Sequence, residues 1–388
     1  MNCEFDKSIN RWNTDSVKYD APEIPHQKRT IPMWVADTDF QTPKPILQTI
    51  QKGVDHGVLG YTIIPDEWYS SIINWVDKRF DWEVYKEQII FTPGIVRGIA
   101  FVLQCFTKPL DKVMVMSPVY TPFFAVTKNN NREVVYHSLK LGEEQFEVDF
   151  DQFEKDILDC KLLILCNPHN PGGRVWTKEE LGKIAAICHK NNVLVISDEI
   201  HADLTLPGNT HTTYLKSCPI AKQHGIVFMS PSKAFNMAGL SSSYCIIQNP
   251  TLLKQYAEFV EGLRVNTGNI FSYRTVVSAY NECEDWLVAS LNYIQRNIDY
   301  VQETLAEKMP KIRCIMPQAS FLIFLDCRDL NLTDKELDDF FKEAGLILNA
   351  GVDFGKEGSG FMRMNVGCTM ATLKQALSQL KMVYDDSF

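Results

Sequence analysis

Short apolar runs, each bounded by turn residues, recur through the middle of the chain. They are "KVMVMSP" at 112–118, "KLLILCNP" at 161–168, "NVLVISDE" at 192–199, "GIVFMSP" at 225–231 and "SYCIIQNP" at 243–250. Each run has the length of a fully buried strand. Helical patterns lie between several of them, and one opens with a capping box formed by Thr177 and Glu180. This alternation predicts an α/β protein with a mostly parallel sheet that helices cover on both faces.

The pattern changes from about residue 286 onwards. One long helix is predicted by an apolar stripe made of Leu287, Leu291, Ile294, Ile298, Val301 and Leu305. The run "SFLIFLDC", a capping box at Thr333 and Glu336, and "GFMRMNVG" follow, which together predict a smaller α+β domain. We expect the first 45 residues to wrap onto it, so the predicted domains are 46–285, and 1–45 with 286–388.

Composition and charge narrow the class of protein. The 388 residues include 39 basic and 48 acidic side chains, and this net charge of -9 argues against a nucleic-acid surface. No apolar run is long enough to cross a bilayer, and the polar start lacks the pattern of a secretory signal. Eleven cysteines without a C-x-x-C pair indicate reduced thiols. We therefore expect a cytoplasmic protein without membrane or nucleic-acid partners.

Polar side chains follow four of the predicted strands. Lys233 follows Ser230 and Ser232 in "MSPSK", and the other three strands are followed by Tyr120, Asn170 and Asp198. A lone lysine at a strand end can simply extend its amine into water. Parallel sheets, however, bind ligands beyond the carboxyl ends of their strands. A lysine, a carboxylate, an amide and an aromatic ring in one crevice are what a pyridoxal phosphate site needs, with the lysine forming the Schiff base.

A phosphate site is indicated by the stretch "IIFTPGIVRGIAFVLQCF". It predicts a strand, a turn at Pro93 and Gly94, and an amphipathic helix. The backbone amides of Gly94, Ile95 and Val96 would then lie unpaired at a helix N-terminus, where geometry and the helix dipole favour an anion. A glycine at a helix start is more often only a capping residue. The glycine therefore supports a phosphate site only together with the other predicted site residues.

Four motifs resemble the fold-type I pyridoxal phosphate enzymes of the class I/II aminotransferase superfamily. They are "PHNPGGRVWTKEEL", "ISDEIHADL", "MSPSKAFNMAGL" and "FMRMNVG". Four more, "IPMWVADTDF", "LGYT", "TPGIV" and "GNIFSYR", resemble its MalY/PatB branch, the cystathionine β-lyase-like C–S lyases. The resemblance covers essentially the whole chain. It implies the aspartate aminotransferase-like fold, with a mostly parallel seven-stranded sheet in the large domain. It also implies α,β-elimination from sulfur-bearing amino acids, with thiol or hydrogen sulfide, pyruvate and ammonia as products.

The resemblance also implies roles for individual residues. Lys233 would form the Schiff base and then remove the Cα proton, Asp198 would pair with the pyridine nitrogen, and Tyr120 would stack on the ring. The remaining cofactor contacts would come from Gly94, Ile95, Val96, Asn170, His201, Ser230 and Ser232. Arg363 would bind the substrate carboxylate, with Ala36 also in the substrate site. Tyr61 would reach both the phosphate and the substrate of a neighbouring subunit, which implies a homodimer with shared active sites.

Three positions depart from common patterns of the superfamily. Ser241 stands where many transaminases have a phosphate-neutralising arginine, and His201 stands where many have a tyrosine; both departures fit the lyase branch. Thr38 replaces a methionine that is more usual in that branch. An amino-acid aminotransferase therefore remains an alternative, because it would use the same core residues.

Two further alternatives come from other classes of protein. A regulatory binding protein on an enzyme fold is permitted by the fold alone. A metal site at His201, Asp198, Glu199 and Asp203 is disfavoured, because their spacing matches no known ligand geometry.

The glycine-rich "GVDFGKEGSG" at 351–360 lacks the ending of a phosphate-binding loop. We expect it to be a flexible loop that moves on substrate binding.

Overall fold

A computed structural model describes residues 4–388 of the chain. The helices are α1 (Val17–Asp20), α2 (Lys44–His56), α3 (Asp66–Phe80), α4 (Ile95–Phe106), α5 (Pro122–Asn129), α6 (Phe150–Asp156), α7 (Lys178–Lys190), α8 (Tyr214–Ser217), α9 (Ala221–His224), α10 (Pro250–Gly262), α11 (Ile270–Glu282), α12 (Glu284–Lys308), α13 (Asp334–Glu343) and α14 (Met370–Ser387). The strands are β1 (Ile31–Pro32), β2 (Ile89–Thr92), β3 (Lys112–Ser117), β4 (Glu133–Ser138), β5 (Lys140–Leu141), β6 (Phe146–Glu147), β7 (Cys160–Cys166), β8 (Leu194–Asp198), β9 (Gly225–Met229), β10 (Ser243–Ile246), β11 (Arg313–Ile315), β12 (Leu322–Asp326), β13 (Leu346–Ile347), β14 (Asn349–Ala350) and β15 (Phe361–Asn365).

The large sheet has seven strands in the order β2-β10-β9-β8-β7-β3-β4. The pairs from β9 to β4 are parallel, whereas β10 is antiparallel to both of its neighbours. The predicted mostly parallel, seven-stranded sheet is thus confirmed. Alternate residues of its strands enter two separate apolar clusters, with Met114 and Leu163 on one face and Val113 and Leu162 on the other. Both faces are covered, which explains why these strands are continuous apolar runs in the sequence.

A second sheet, with the order β11-β12-β15-β14, is antiparallel, and its strand β11 lies against α12. The predicted apolar stripe of α12 is buried along its length, as Leu287, Ile298 and Leu305 show. The early strand β1 pairs in parallel with β13, so the start of the chain joins this smaller part of the molecule. The domain boundaries at residues 45/46 and 285/286 stay a prediction.

The glycine-rich stretch at 351–360 has defined turns and packs against the large sheet, and its movement on substrate binding stays a prediction. It forms two short 3-10 turns, Gly351–Phe354 and Lys356–Gly358. Glu357 accepts hydrogen bonds from Ser117 and Ser138, at the ends of β3 and β4. The Phe354 carbonyl accepts from the Val119 amide at 2.8 Å. The glycines therefore allow close packing against the large sheet, which composition alone does not reveal.

Among residues 4–388, no helix combines the length and the apolarity that crossing a membrane would take. The ten cysteines of this range are free thiols, and most are buried. Cys3, the remaining cysteine, lies outside the described residues.

Candidate active site

Lys233 lies in the turn that follows β9 and reaches a cavity at the carboxyl ends of the parallel strands. The cavity has a volume of about 400 Å³ and is lined by Ala36, Pro93, Gly94, Ile95, Val96, Arg97, Tyr120, Cys166, Asn170, Asp198, Ile200, His201, Ser232, Lys233, Ala238, Ser241 and Ser243. The structure therefore brings together most of the predicted site residues. Ser230 lies just behind this wall, where its hydroxyl donates to Ser232 Oγ at 2.8 Å. Arg363 is not among the lining residues, but it donates a hydrogen bond to one of them, Asn170.

The amine of Lys233 is held by a backbone acceptor. Its Nζ donates to the Ala36 carbonyl oxygen at 2.6 Å. Burial lowers the pKa of Lys233, and the charge of Arg363 adds to this effect, whereas Asp37 opposes it. A lysine with a depressed pKa is more readily neutral near physiological pH, which a nucleophile and a base require.

Asp198, the last residue of β8, is buried and forms no salt bridge within residues 4–388, although the charge of Lys233 acts to lower its pKa. Its Oδ1 accepts a hydrogen bond from the Ile200 amide at 3.1 Å. Burial raises the pKa of Asp198 to about 7, and the neighbouring Glu199 acts in the same direction. A buried carboxylate is costly unless it is paired. The protonated pyridine nitrogen of pyridoxal phosphate would supply the missing positive charge.

The N-terminus of α4 forms one wall of the cavity. Ile95 and Val96 belong to the first helical turn, whose amides have no acceptor within the helix. Gly94 differs from the expectation, because its own amide donates to the Thr92 carbonyl at 2.9 Å. Its φ of 112° instead gives the turn a conformation that residues with side chains rarely adopt. The Ile95 and Val96 amides and the Ser232 hydroxyl thus fit a phosphate group.

Arg97 is a cavity residue that the sequence analysis did not single out. Its Nη1 donates to the Pro93 carbonyl at 2.6 Å, which brings the guanidinium back over the start of α4. Ser241, at the position of the usual arginine, also lines the cavity. The spacing of Arg97 three residues after Gly94 was the available signal, since such residues lie on the same face of a helix.

Tyr120, Asn170 and His201 supply the other walls. The Tyr120 amide donates to the Asn170 carbonyl at 3.1 Å, which joins the segments that follow β3 and β7. Burial lowers the pKa of His201 to about 3, so its ring is neutral. Its buried Nδ1 has no hydrogen-bond partner in the described chain. An unpaired ring nitrogen at a cavity wall also fits a polar ligand there.

Arg363, in the middle of β15, is a buried guanidinium without a carboxylate partner in the described chain. It donates to Asn170 Oδ1 at 3.1 Å, to the Trp34 carbonyl at 2.8 Å and to Asn349 Oδ1 at 2.6 Å. Burial lowers the pKa of Arg363 to about 10, which leaves it cationic at neutral pH. Neutral partners fix its plane and leave its charge uncompensated, which suits the carboxylate of a bound amino acid.

Tyr61 lies outside this cavity. Its side chain is fully exposed, in a segment that also exposes Val58, Leu59 and Ile63. Within one chain it therefore contributes nothing to the site, and its predicted role stays a prediction about a second subunit.

The acidic residues near His201 have protein partners. Glu199 accepts hydrogen bonds from Ser197 Oγ and from the Tyr214 amide, each at 2.8 Å, and lies 2.9 Å from His211 Nε2. Asp203 accepts from Trp75 Nε1 at 3.0 Å. These contacts give both carboxylates a role in the scaffold of the described chain, where no cluster suited to a metal ion is found.

The fold and the site define a pyridoxal phosphate-dependent α/β enzyme, and comparisons with known proteins agree. Residues 35–380 match the family model described as aminotransferase class I and II, so the chain belongs to that family. It is 38% identical to the cystathionine β-lyase PatB of Bacillus subtilis, over 97% of this chain and 98% of that protein.

Two solved structures are similar to this chain over nearly its whole length. The PLP-bound putative aminotransferase of Clostridium difficile 630 is 36% identical, with a TM-score of 0.95 over 99% of this chain and 100% of that one. The PLP-bound C–S lyase of Staphylococcus hominis is 33% identical, with a TM-score of 0.92 over 99% and 98%. The aspartate aminotransferase-like fold and the resemblance to the MalY/PatB branch are thereby confirmed.

Proposed function

We propose that this chain is a pyridoxal phosphate-dependent C–S lyase that acts on amino acids with sulfur at Cβ. With one water, such a substrate gives a thiol or hydrogen sulfide, pyruvate and ammonium. The observation that carries the proposal is a pair of buried groups of opposite charge, Asp198 in the cavity wall and Arg363 hydrogen-bonded to the wall residue Asn170. Neither Asp198 nor Arg363 forms a salt bridge within residues 4–388, and the amine of Lys233, whose charge acts to lower the pKa of Asp198, lies at the cavity that Asp198 lines. A cationic cofactor ring and an anionic substrate would satisfy both.

The residues that would hold the cofactor follow from this geometry. Lys233 would bind it covalently, Asp198 would keep its ring nitrogen protonated, and the start of α4 with Ser230 and Ser232 would bind its phosphate. Tyr120, Asn170 and His201 would contact the ring. When bound, pyridoxal phosphate supplies an electron sink that stores the electron pair left at the substrate Cα.

The protein groups then perform binding and proton transfer. Arg363 binds the α-carboxylate and so fixes the orientation of Cα, with Ala36 beside it. Lys233, released when the substrate amine displaces it from the cofactor, has a lowered pKa and takes the Cα proton as a general base. A sulfur atom on Cβ can then leave as a thiolate. Elimination rather than transamination is supported by the relatives named as lyases and by Ser241 at the usual arginine position.

The number of turnovers without a second substrate separates lyase from aminotransferase. We expect the holoenzyme to form pyruvate and thiol from cystathionine over many turnovers with no keto acid present. Borohydride should fix the cofactor to the peptide that contains Lys233. Lys233→Ala should abolish both results, whereas Lys222→Ala, on the surface helix α9, should change neither. Pyruvate that never exceeds the enzyme concentration, with a new amino acid formed when a keto acid is added, would instead establish an aminotransferase.

A homodimer with shared active sites is the second part of the proposal. The exposed apolar side chains around Tyr61 support it, because contiguous exposed apolar residues often mark an interface. In such a dimer Tyr61 would enter the partner's site and reach its phosphate and substrate. We also propose a cytoplasmic location, which the free cysteines of residues 4–388 support.

A further inference from the structure

Residues 34–40, here called the strap, connect β1 to α2 and run between Lys233 and Arg363. The carbonyl of Trp34 accepts a hydrogen bond from Arg363 Nη2 at 2.8 Å. Two residues later, the carbonyl of Ala36 accepts from Lys233 Nζ at 2.6 Å. A single short piece of backbone thus contacts both cations of the site. Its position affects where each of them lies.

Asn365 fixes the strap from the side of Arg363. It follows Arg363 by two residues on β15 and is buried. Its Nδ2 donates to the carbonyls of Val35 and Asp37, at 2.6 and 2.7 Å. Its Oδ1 accepts from the Gly367 amide at 2.7 Å, so the side chain is anchored at both ends.

Asn236 fixes the strap from the side of Lys233. It follows Lys233 by three residues in the same turn, and its Nδ2 donates to the carbonyls of Thr38 and Phe40 at 3.1 and 2.7 Å. Its Oδ1 accepts from the Thr38 amide at 3.3 Å. With a φ of 51°, Asn236 adopts a left-handed conformation that asparagine tolerates better than most residues.

Charged groups of the N-terminal arm hold the outer side of the strap. Arg11 donates to both carboxylate oxygens of Asp37, at 2.8 and 2.9 Å. Lys18, only 1% exposed, donates to Asp39 at 3.0 Å. The Lys18–Asp39 pair is buried and the Arg11–Asp37 pair is partly buried, and desolvation offsets much of the attraction in such pairs. This arrangement suits a segment whose exact placement matters more than its contribution to stability.

We propose that the strap is a positioning device for the amine of Lys233, with Asn236 and Asn365 as its positioning residues. Each asparagine is tied by the backbone to one site cation and by its side chain to the strap. Together they set the separation between the base that takes the Cα proton and the guanidinium that binds the carboxylate. The inference rests on the proposed roles of Lys233 and Arg363, but it holds for a lyase and an aminotransferase alike.

The test uses the holoenzyme and one partial reaction, exchange of the Cα proton of L-alanine for solvent deuterium, followed by NMR. We expect Asn236→Gly, which keeps the left-handed backbone, to lower the saturated exchange rate about 10- to 100-fold, because small misplacements of reacting groups are costly. The alanine concentration for half-maximal rate should change less than about threefold, since Arg363 is retained. Asn236→Asp, which keeps the shape but loses the donors, should behave similarly.

A second readout does not depend on activity. Amide hydrogen exchange of a peptide that covers the strap should become at least about tenfold faster in both variants, because its carbonyl anchors are gone. The control is Gln379→Leu, which removes another buried amide that holds two carbonyls, those of Arg29 and Ala344, away from the strap. This control should lower stability while leaving both the Cα exchange rate and the exchange of the strap near wild type.

The outcomes separate this inference from the proposed function. If the saturated Cα exchange rate is unchanged in both Asn236 variants, or falls no further than in Gln379→Leu, the strap does not position the amine of Lys233. A wild-type enzyme that exchanges the Cα proton of L-alanine but forms no pyruvate from cystathionine would contradict the lyase proposal, and the Asn236 variants would still decide the role of the strap.

Discussion

Arg363 Nη1 donates a hydrogen bond to Asn170 Oδ1 at 3.1 Å, and this contact joins the two sheets at the site. Arg363 belongs to the four-stranded sheet, whereas Asn170 follows a strand of the seven-stranded one. The group proposed to bind the substrate and a group proposed to bind the cofactor are therefore in direct contact. Any shift of one sheet against the other would change their alignment.

Replacing Arg363 by lysine tests its proposed role in substrate binding. A lysine keeps the positive charge but cannot hold a carboxylate with two parallel hydrogen bonds. Loss of one charged hydrogen bond corresponds to roughly 1.5–3 kcal/mol. We therefore expect KM for cystathionine to rise about 10- to 100-fold in Arg363→Lys, as steady-state kinetics would measure. Arg313→Lys, at a largely exposed arginine of β11, should keep the wild-type KM.

Replacing Asp198 by asparagine tests its buried charge in the cofactor-free protein. The pKa of Asp198 is raised to about 7 from an ordinary value of 3.8. A carboxyl whose pKa rises on folding stabilises the fold fully only below its unfolded pKa, and that stability is lost as pH rises through the folded pKa. Wild type should thus lose stability between about pH 4 and 7 relative to Asp198→Asn, by up to about 4 kcal/mol.

Urea unfolding of both cofactor-free proteins across this pH range measures the difference. Asp66→Asn, at an exposed aspartate paired with Lys86, is the control and should follow wild type above pH 5. If the free energy of unfolding varies with pH equally in wild type and Asp198→Asn, burial of the Asp198 carboxylate does not destabilise the fold. With cofactor, Asp198→Asn should lose at least about 100-fold in kcat, because the electrostatic partner of the ring nitrogen is missing.

Mixing two inactive variants tests the shared site of the proposed dimer. Lys233→Ala lacks the base, and Tyr61→Ala lacks the proposed contact to the neighbouring subunit. In a hybrid dimer, one of the two sites has both residues intact, so an equal mixture should recover about a quarter of wild-type activity per chain. Activity is measured after the mixture is unfolded and refolded together. Sedimentation should show dimers, and dimers without any recovered activity would refute the role of Tyr61.

Glu357 links the 3-10 turns at 351–358 to the ends of β3 and β4. Burial raises the pKa of Glu357, but the hydrogen bonds from Ser117 and Ser138 outweigh it, so the pKa lies below its ordinary value of 4.5. A lowered pKa gives stability that is present above the unfolded value and lost as pH falls through the folded one. We expect Glu357→Gln to remove this loss of stability below about pH 4.5, as urea unfolding at several pH values would show. If the free energy of unfolding falls below pH 4.5 as steeply in Glu357→Gln as in wild type, the carboxylate of Glu357 has no such role.

The sequence predicts the parts of this fold that depend on local patterns. The capping boxes at Thr177 and Thr333 both form, and the apolar runs become buried strands. The polar residues at strand ends meet at one cavity because parallel strands bring their carboxyl ends to one edge. These features follow from residues close in sequence, together with one rule of topology.

Other features depend on contacts that span the chain and leave no local signal. Asn236 contacts Thr38 across almost 200 positions, and nothing in "SKAFNMAGL" shows that its amide meets a backbone carbonyl. The packing of the stretch at 351–360 against the large sheet also has no local signal, because glycines are compatible with both mobility and tight packing. The partner-dependent role of Tyr61 cannot be seen within one chain at all.

Cys166 lines the cavity where a thiol would be released. Burial raises the pKa of the Cys166 thiol, and the charge of Asp198 raises it further. Only thiolates attack disulfides, and only they are oxidised readily. A lyase that releases thiols would thus keep the cysteine in its own cavity wall protonated and unreactive. Oxidised thiol products would then not inactivate the enzyme by forming a mixed disulfide with Cys166.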